Sequence, residues 1–116
     1  MKNSIKTMLL TILLTAYGYA FSQKANKTET ISIKTSSQCD MCKHTLEKAM
    51  AFEKGVKSSN LDVPTSILTV VYSPKKTSPE KIKKAVTEAG YDADEIPANP
   101  KAYEKLAPCC KKGAHK

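Results

Sequence analysis

Between residues 30 and 46 the chain reads Thr30-Ile31-Ser32-Ile33-Lys34-Thr35-Ser36-Ser37-Gln38-Cys39-Asp40-Met41-Cys42-Lys43-His44-Thr45-Leu46. Ile31 and Ile33 alternate with Thr30, Ser32 and Lys34, the period-two pattern of a half-buried strand. Ser36 to Asp40 make a polar loop. From Met41 to about Phe52 the period lengthens to that of a helix, with Leu46, Ala49 and Met50 on one stripe and Lys43, Glu47 and Lys48 outside it. Cys39 and Cys42 thus stand where a strand gives way to a helix. Two thiols three residues apart in that position can grip one soft metal ion or cycle as a disulfide.

Working outward, Gly55 closes the first helical unit, and Val56, Leu61 and Val63 suggest a second strand. Pro64-Thr65-Ser66 carries the chemistry of a hairpin turn. Ile67 to Tyr72 is the strongest strand pattern, with Leu68, Val70 and Tyr72 on one face. After a lysine-rich connector, Ser78 is a good N-cap and Pro79 suits the first helical position. Ile82, Ala85, Val86 and Ala89 form the apolar stripe of a second helix, which Gly90 stops. Tyr91 to Ile96 is expected as a short final strand before Pro97 and Pro100 break regularity.

The order β-α-β-β-α-β over roughly 70 residues predicts an α+β, ferredoxin-like sandwich: an antiparallel four-stranded sheet with two helices on one face. The domain is placed at residues 28–97, followed by a lysine-rich tail, 98–116, that carries Cys109 and Cys110. Following the strand directions, the Cys39–Cys42 loop, the Pro64 hairpin and the Ala89-Gly90-Tyr91 turn share one end, so Tyr91 is expected near the two thiols. A domain this small buries only about 60% of its unfolded surface and has no room for a large substrate pocket. That argues against an enzyme.

Residues 1–22 read as a secretory signal. Lys2 and Lys6 supply the positive start, Met8 to Ala16 a short apolar core, and Gly18 and Ala20 the small residues before cleavage after Ala20 or Ser22. That apolar run is shorter than the about 20 residues a membrane span needs, so no stable anchor is expected after cleavage. The expected location is the periplasm or the exterior. All 19 basic residues are lysines, and losing Lys2 and Lys6 lowers the net charge from +8 to +6. Without arginine forks the charge does not suggest nucleic-acid binding. It suits a solvated surface or docking to an acidic partner.

Four cysteines in an exported chain could form two disulfides. These four fall instead as two tight pairs, Cys39/Cys42 and Cys109/Cys110, which suits ligands or redox groups better than staples. Thiolates at a helix N-terminus feel the positive end of the macrodipole. Soft sulfur donors select Cu(I), zinc and related thiophiles. A site of two thiolates stays coordinatively open, which favours transfer; a structural zinc would want four closed ligands.

The pattern Cys39-x-x-Cys42, Leu46, Ala49-Met50, Gly55-Val56, Tyr72-Ser73-Pro74, Ile82, Ala85-Val86 and Ala89-Gly90-Tyr91 resembles the heavy-metal-associated domain over about residues 29–97. That resemblance implies a βαββαβ fold holding one soft ion, Cu(I) or Hg(II), through Cys39 and Cys42. It further implies delivery to a metal-transporting membrane protein or a related metal-binding domain, with the chain acting as a monomer. The sequence departs from the family in having Ser37 where a methionine commonly packs under the loop, Ser36 where glycine is common, and Ser59 where a β-branched apolar residue is usual. Tyr91 matches an aromatic that bacterial members place near the loop, and with Met41 it is expected beside the ligands rather than among them.

His44, two residues past Cys42, points nearly opposite it on a helix and is expected at the surface. With His115 it remains an auxiliary metal candidate. Cys109 and Cys110 are candidate further ligands, since an extended chain of about 3.3 Å per residue can return from Pro97 to the loop. If they join, Zn(II) becomes a candidate ion. The expected function is an exported soft-metal carrier. The alternatives are a small thiol-disulfide oxidoreductase and a metal-sensing or interaction module that works through the tail cysteines.

Overall fold

A computed structural model describes residues 27–113; the expected signal segment 1–22 and His115 lie outside the described residues. Strands β1 (Glu29–Lys34), β2 (Val56–Asp62) and β3 (Ile67–Tyr72) form an antiparallel sheet in the order β1-β3-β2. Helix α1 (Asp40–Ala51) follows β1, α2 (Pro79–Glu88) follows β3, and a short α3 (Pro100–Glu104) leads into a 3₁₀ turn at Pro108–Cys110.

Register explains why the helices cover one face. Ile33 pairs with Leu68, which pairs with Leu61 on its other side, and all three are buried in one row. Val70 and Tyr72, two and four residues on from Leu68, fall on the same side by strand alternation. Against this face lie Leu46 and Met50 of α1 and Ile82 and Val86 of α2, all fully buried. Ser78 caps α2 by accepting the Lys81 amide at 3.3 Å, and Pro79 opens the helix.

The expected fourth strand is not formed: among the described residues the sheet has three strands, and Tyr91 to Ile96 contributes only isolated bridges. Ala93 bridges Thr35, then folds back on Ile96 through two backbone hydrogen bonds of 2.9 Å. The turn passes through Asp94 at φ 53°, left-handed backbone that a continuing strand cannot adopt. Asp94 is held there by Lys34: its amide donates to the Lys34 carbonyl at 2.8 Å, and its carboxylate accepts the Lys34 amide at 2.9 Å. Asp94 also pairs with Lys83 at 3.1 Å. A side chain thus takes the place of strand pairing, which apolar alternation alone does not reveal.

The C-terminal segment packs back on the domain. Asn99 donates its amide to the Thr87 carbonyl at 2.9 Å, and its side chain caps α3 by accepting the Lys101 and Ala102 amides at 3.0 and 3.1 Å. Lys112 pairs with Asp92 at 2.7 Å, and its amide donates to the Tyr103 hydroxyl at 2.9 Å. No helix among the described residues is long and apolar enough to cross a membrane.

Candidate metal site

Three pieces of backbone converge on the thiols. Cys39 is the N-cap of α1, in extended backbone, and its carbonyl accepts the first helical bond from the Lys43 amide at 3.1 Å. Cys42 sits in the first turn on the same stripe as Leu46 and Met50, and all three are fully buried. The β2–β3 hairpin braces the loop: the Ser66 hydroxyl donates to the Ser37 carbonyl at 2.6 Å, and the Thr35 amide donates to the Ser66 carbonyl at 2.9 Å.

The end of α2 supplies the third piece. Gly90 (φ 104°) and Tyr91 return their amides to the Thr87 and Val86 carbonyls at 3.1 and 3.3 Å, the paired bonds of a Schellman stop. A Cβ on Gly90 would stand 3.0 Å from the Ala102 carbonyl oxygen and from Leu106, so the bare backbone also seats the returning tail. The stop turns Tyr91 into the core beside the Cys110 and Cys42 thiols.

Cys39 and Cys42 sulfurs lie 3.2 Å apart, with Cys109 and Cys110 sulfurs 3.6 and 3.8 Å from Cys39. Cys39, Cys42 and Cys110 form a group whose sulfurs all lie within 4.8 Å of one another. Cys109 sits outside that triangle, 4.0 Å from the Cys110 sulfur and 3.6 Å from the Met41 sulfur. No disulfide links these four thiols.

Burial opposes ionisation of Cys39. It is outweighed by hydrogen bonds with the Cys42 thiol and amide and with the Cys109 and Cys110 thiols, which bring Cys39 down to about 6. Cys110 is pushed up, first by burial and then by its hydrogen bonds to Cys42 and Cys39. Cys109 also moves up, chiefly through its bond to Cys39. The opposite shifts of these touching groups favour negative charge on Cys39 over Cys109 and Cys110. A bound cation would favour the thiolate form of its ligands, so metal binding would be coupled to proton release.

The donor set fits a soft ion, because sulfur ligation selects thiophilic metals over magnesium or calcium. Tyr91 supports the fit: its buried hydroxyl has no hydrogen-bond partner, and burial followed by the Cys110 and Cys42 contacts raises its pKa. A thiolate formed on metal binding would give that hydroxyl an acceptor. The buried Ser37 hydroxyl and Gln38 carbonyl oxygen beside the loop also lack partners. Ser37 therefore occupies the space under the loop without anchoring it through its side chain.

Met41 is 54% exposed, in the first turn of α1 rather than on the loop. His44 is exposed on α1 and outside the sulfur triangle. The sequence did not single out the ties that return the tail, Asn99 to Thr87 and Lys112 to Asp92. Only Asn99-Pro100, an N-cap residue followed by proline, carried a readable signal of α3.

Fold and site together define a small α+β domain with thiols gathered for a soft metal. A model of the heavy-metal-associated domain matches residues 38–92. The copper chaperone CopZ of Staphylococcus haemolyticus (strain JCSC1435) is 35% identical over 54 residues, covering 47% of this chain and 79% of the relative. The mercuric transport protein periplasmic component of Serratia marcescens is 34% identical over 67 residues, covering 58% of this chain and 72% of the relative. The structure of oxidized MerP from Ralstonia metallidurans CH34 superposes with a TM-score of 0.56 at 29% identity, covering 59% of this chain and 96% of the other. Copper-transporting ATPase 1 of Rattus norvegicus is 35% identical over 55 residues, but the match spans 4% of that much longer protein. The chain belongs to the heavy-metal-associated domain family.

Proposed function

We propose that this protein is an exported carrier that holds one Cu(I) or Hg(II) ion on Cys39 and Cys42 and passes it by thiolate exchange to a membrane transporter or a related metal-binding domain. The observation that carries this reading is the pair of sulfurs 3.2 Å apart at the start of α1, in a domain of this family. Relatives named as a copper chaperone and a periplasmic mercuric transport component support the soft-ion cargo. The signal-like segment 1–22 supports export, and the excess of lysine would steer the protein toward an acidic docking face.

In an anaerobic competition titration of the chain with Cu(I), Hg(II) and Zn(II), one soft ion per chain is expected, with Zn(II) displaced by either of the others. Tight zinc binding that neither displaces would overturn the carrier reading. The 3.2 Å separation also suits a redox pair. That rival requires catalysed reduction of a disulfide substrate by the reduced chain, which the carrier reading excludes.

Tyr91→Phe gives an effect that changes sign with metal. Without metal it removes an unpartnered buried hydroxyl, so thermal stability should rise by about 1 kcal/mol. With metal bound it removes a donor to the thiolates, and affinity should fall by about tenfold. Melting curves and metal competition on the same sample measure both; a loss of stability in the metal-free state would contradict this role.

A further inference from the structure

The tail cysteines are built into the site. Cys110 is 2% exposed, and its amide donates to the Ala107 carbonyl at 2.8 Å, closing the 3₁₀ turn that presents its sulfur to Cys39. What brings it there is independent of sulfur chemistry: the Asn99–Thr87 bond, Leu106 seated over Gly90, and the Lys112–Asp92 ion pair. The two adjacent cysteines are also unequal. Cys110 is buried, whereas Cys109 is half-buried and touches the exposed Met41 sulfur at 3.6 Å.

Sulfur spacing distinguishes the coordination geometries. A metal–sulfur bond of about 2.3 Å puts sulfurs about 4.6 Å apart on a line and about 4.0 Å apart in a trigonal plane. Cys39 lies 3.2 Å from Cys42 and 3.8 Å from Cys110, with the third pair within 4.8 Å. The triangle reaches trigonal spacing with shifts of under about 1 Å, whereas linear binding by Cys39 and Cys42 would need them to part by about 1.4 Å.

Resting on the soft-metal reading above, we propose that the C-terminal segment is a sulfur-bearing lid: Cys110 completes a three-thiolate site with Cys39 and Cys42, and Cys109 with Met41 forms the outer step by which the ion enters and leaves. On loading, three metal–sulfur bonds replace the bonds to the ligands that carry the ion in, those ligands leave, and each cysteine still protonated gives its proton to solvent. On exit, a partner thiol ionises and makes one new metal–sulfur bond for each bond that a cysteine of this chain breaks, and the departing thiolate takes up the proton that the partner thiol released. No electrons are exchanged. The lid makes this protein a retaining carrier, one that releases its ion only when a partner supplies competing thiols.

The test is sulfur counting by X-ray absorption on the reduced full chain loaded with one Cu(I), together with competition affinities, for the parent, C110S and C109S. Circular dichroism confirms that each variant is folded. Three sulfurs are expected in the parent and in C109S, and two in C110S. C110S should lose affinity on the order of 100-fold, at least the upper end of what supporting groups around a metal cost. C109S should keep its affinity within about threefold and release copper to a dithiol chelator about tenfold more slowly, an effect of the size supporting groups at metal sites show.

Two sulfurs in the parent, with C110S unchanged, would overturn the lid while leaving the two-cysteine carrier standing. Four sulfurs in the parent, falling to three in C109S, would overturn the outer-step role. No copper bound by the reduced parent would instead remove the carrier reading itself.

Discussion

With Cys39→Ser and Cys42→Ser combined, the chain should stop binding Cu(I) stoichiometrically while keeping its fold. Serine preserves size, but its hydroxyl is a hard donor that stays protonated where a thiolate forms. Four-ligand sites of sulfur and imidazole supply about 10–16 kcal/mol, or about 3 kcal/mol for each ligand. Losing two ligands should therefore weaken binding by on the order of 10⁴-fold. A lone Cys110, with Cys109 beside it, does not restore that loss, because the N-terminal end of α1 no longer contributes sulfur. Anaerobic competition gives the affinity and circular dichroism the fold. Undiminished copper binding in the folded double variant would show that the ion sits elsewhere.

Leu46→Ala should be the most damaging single core change. Leu46 is fully buried one turn beyond Cys42, among the side chains that join the sheet to both helices. Truncation removes transfer free energy and leaves a cavity, about 2–5 kcal/mol in comparable cores. A domain of this size has about 5–15 kcal/mol in total, so the melting temperature should fall by tens of degrees or the chain should fail to fold. Chemical denaturation of the metal-free, reduced protein gives the difference directly. A cost below about 1 kcal/mol would mean that α1 is not seated on the sheet through Leu46. Because Cys42 shares that stripe, a partly folded variant should also bind metal more weakly than its folded fraction predicts.

The sequence made most of the layout readable, for identifiable reasons. Ile33, Leu68 and Val70 alternate strongly because one face of the sheet is buried and the other is not. Ser78-Pro79 and Gly90 mark the ends of α2 because capping and the left-handed stop depend on local chemistry. The final strand misled, because Tyr91 and Ala93 stand two residues apart, as residues on one face of a strand do. What removes the strand is Asp94 reaching Lys34, 60 residues away in sequence.

At the site, residue types and spacing marked Cys39 and Cys42 as a pair for a soft ion, and strand direction set Tyr91 at the same end. Those conclusions depend on local pattern and connectivity, which a sequence carries. Tertiary structure alone decided that Cys110 meets Cys39 at 3.8 Å and that Cys109 faces outward toward Met41. These are contacts between segments about 70 residues apart, held by ties of Asn99, Leu106 and Lys112 that use no sulfur. A spacing rule sees cysteines that are neighbours in the chain; only packing shows which of them become neighbours in space.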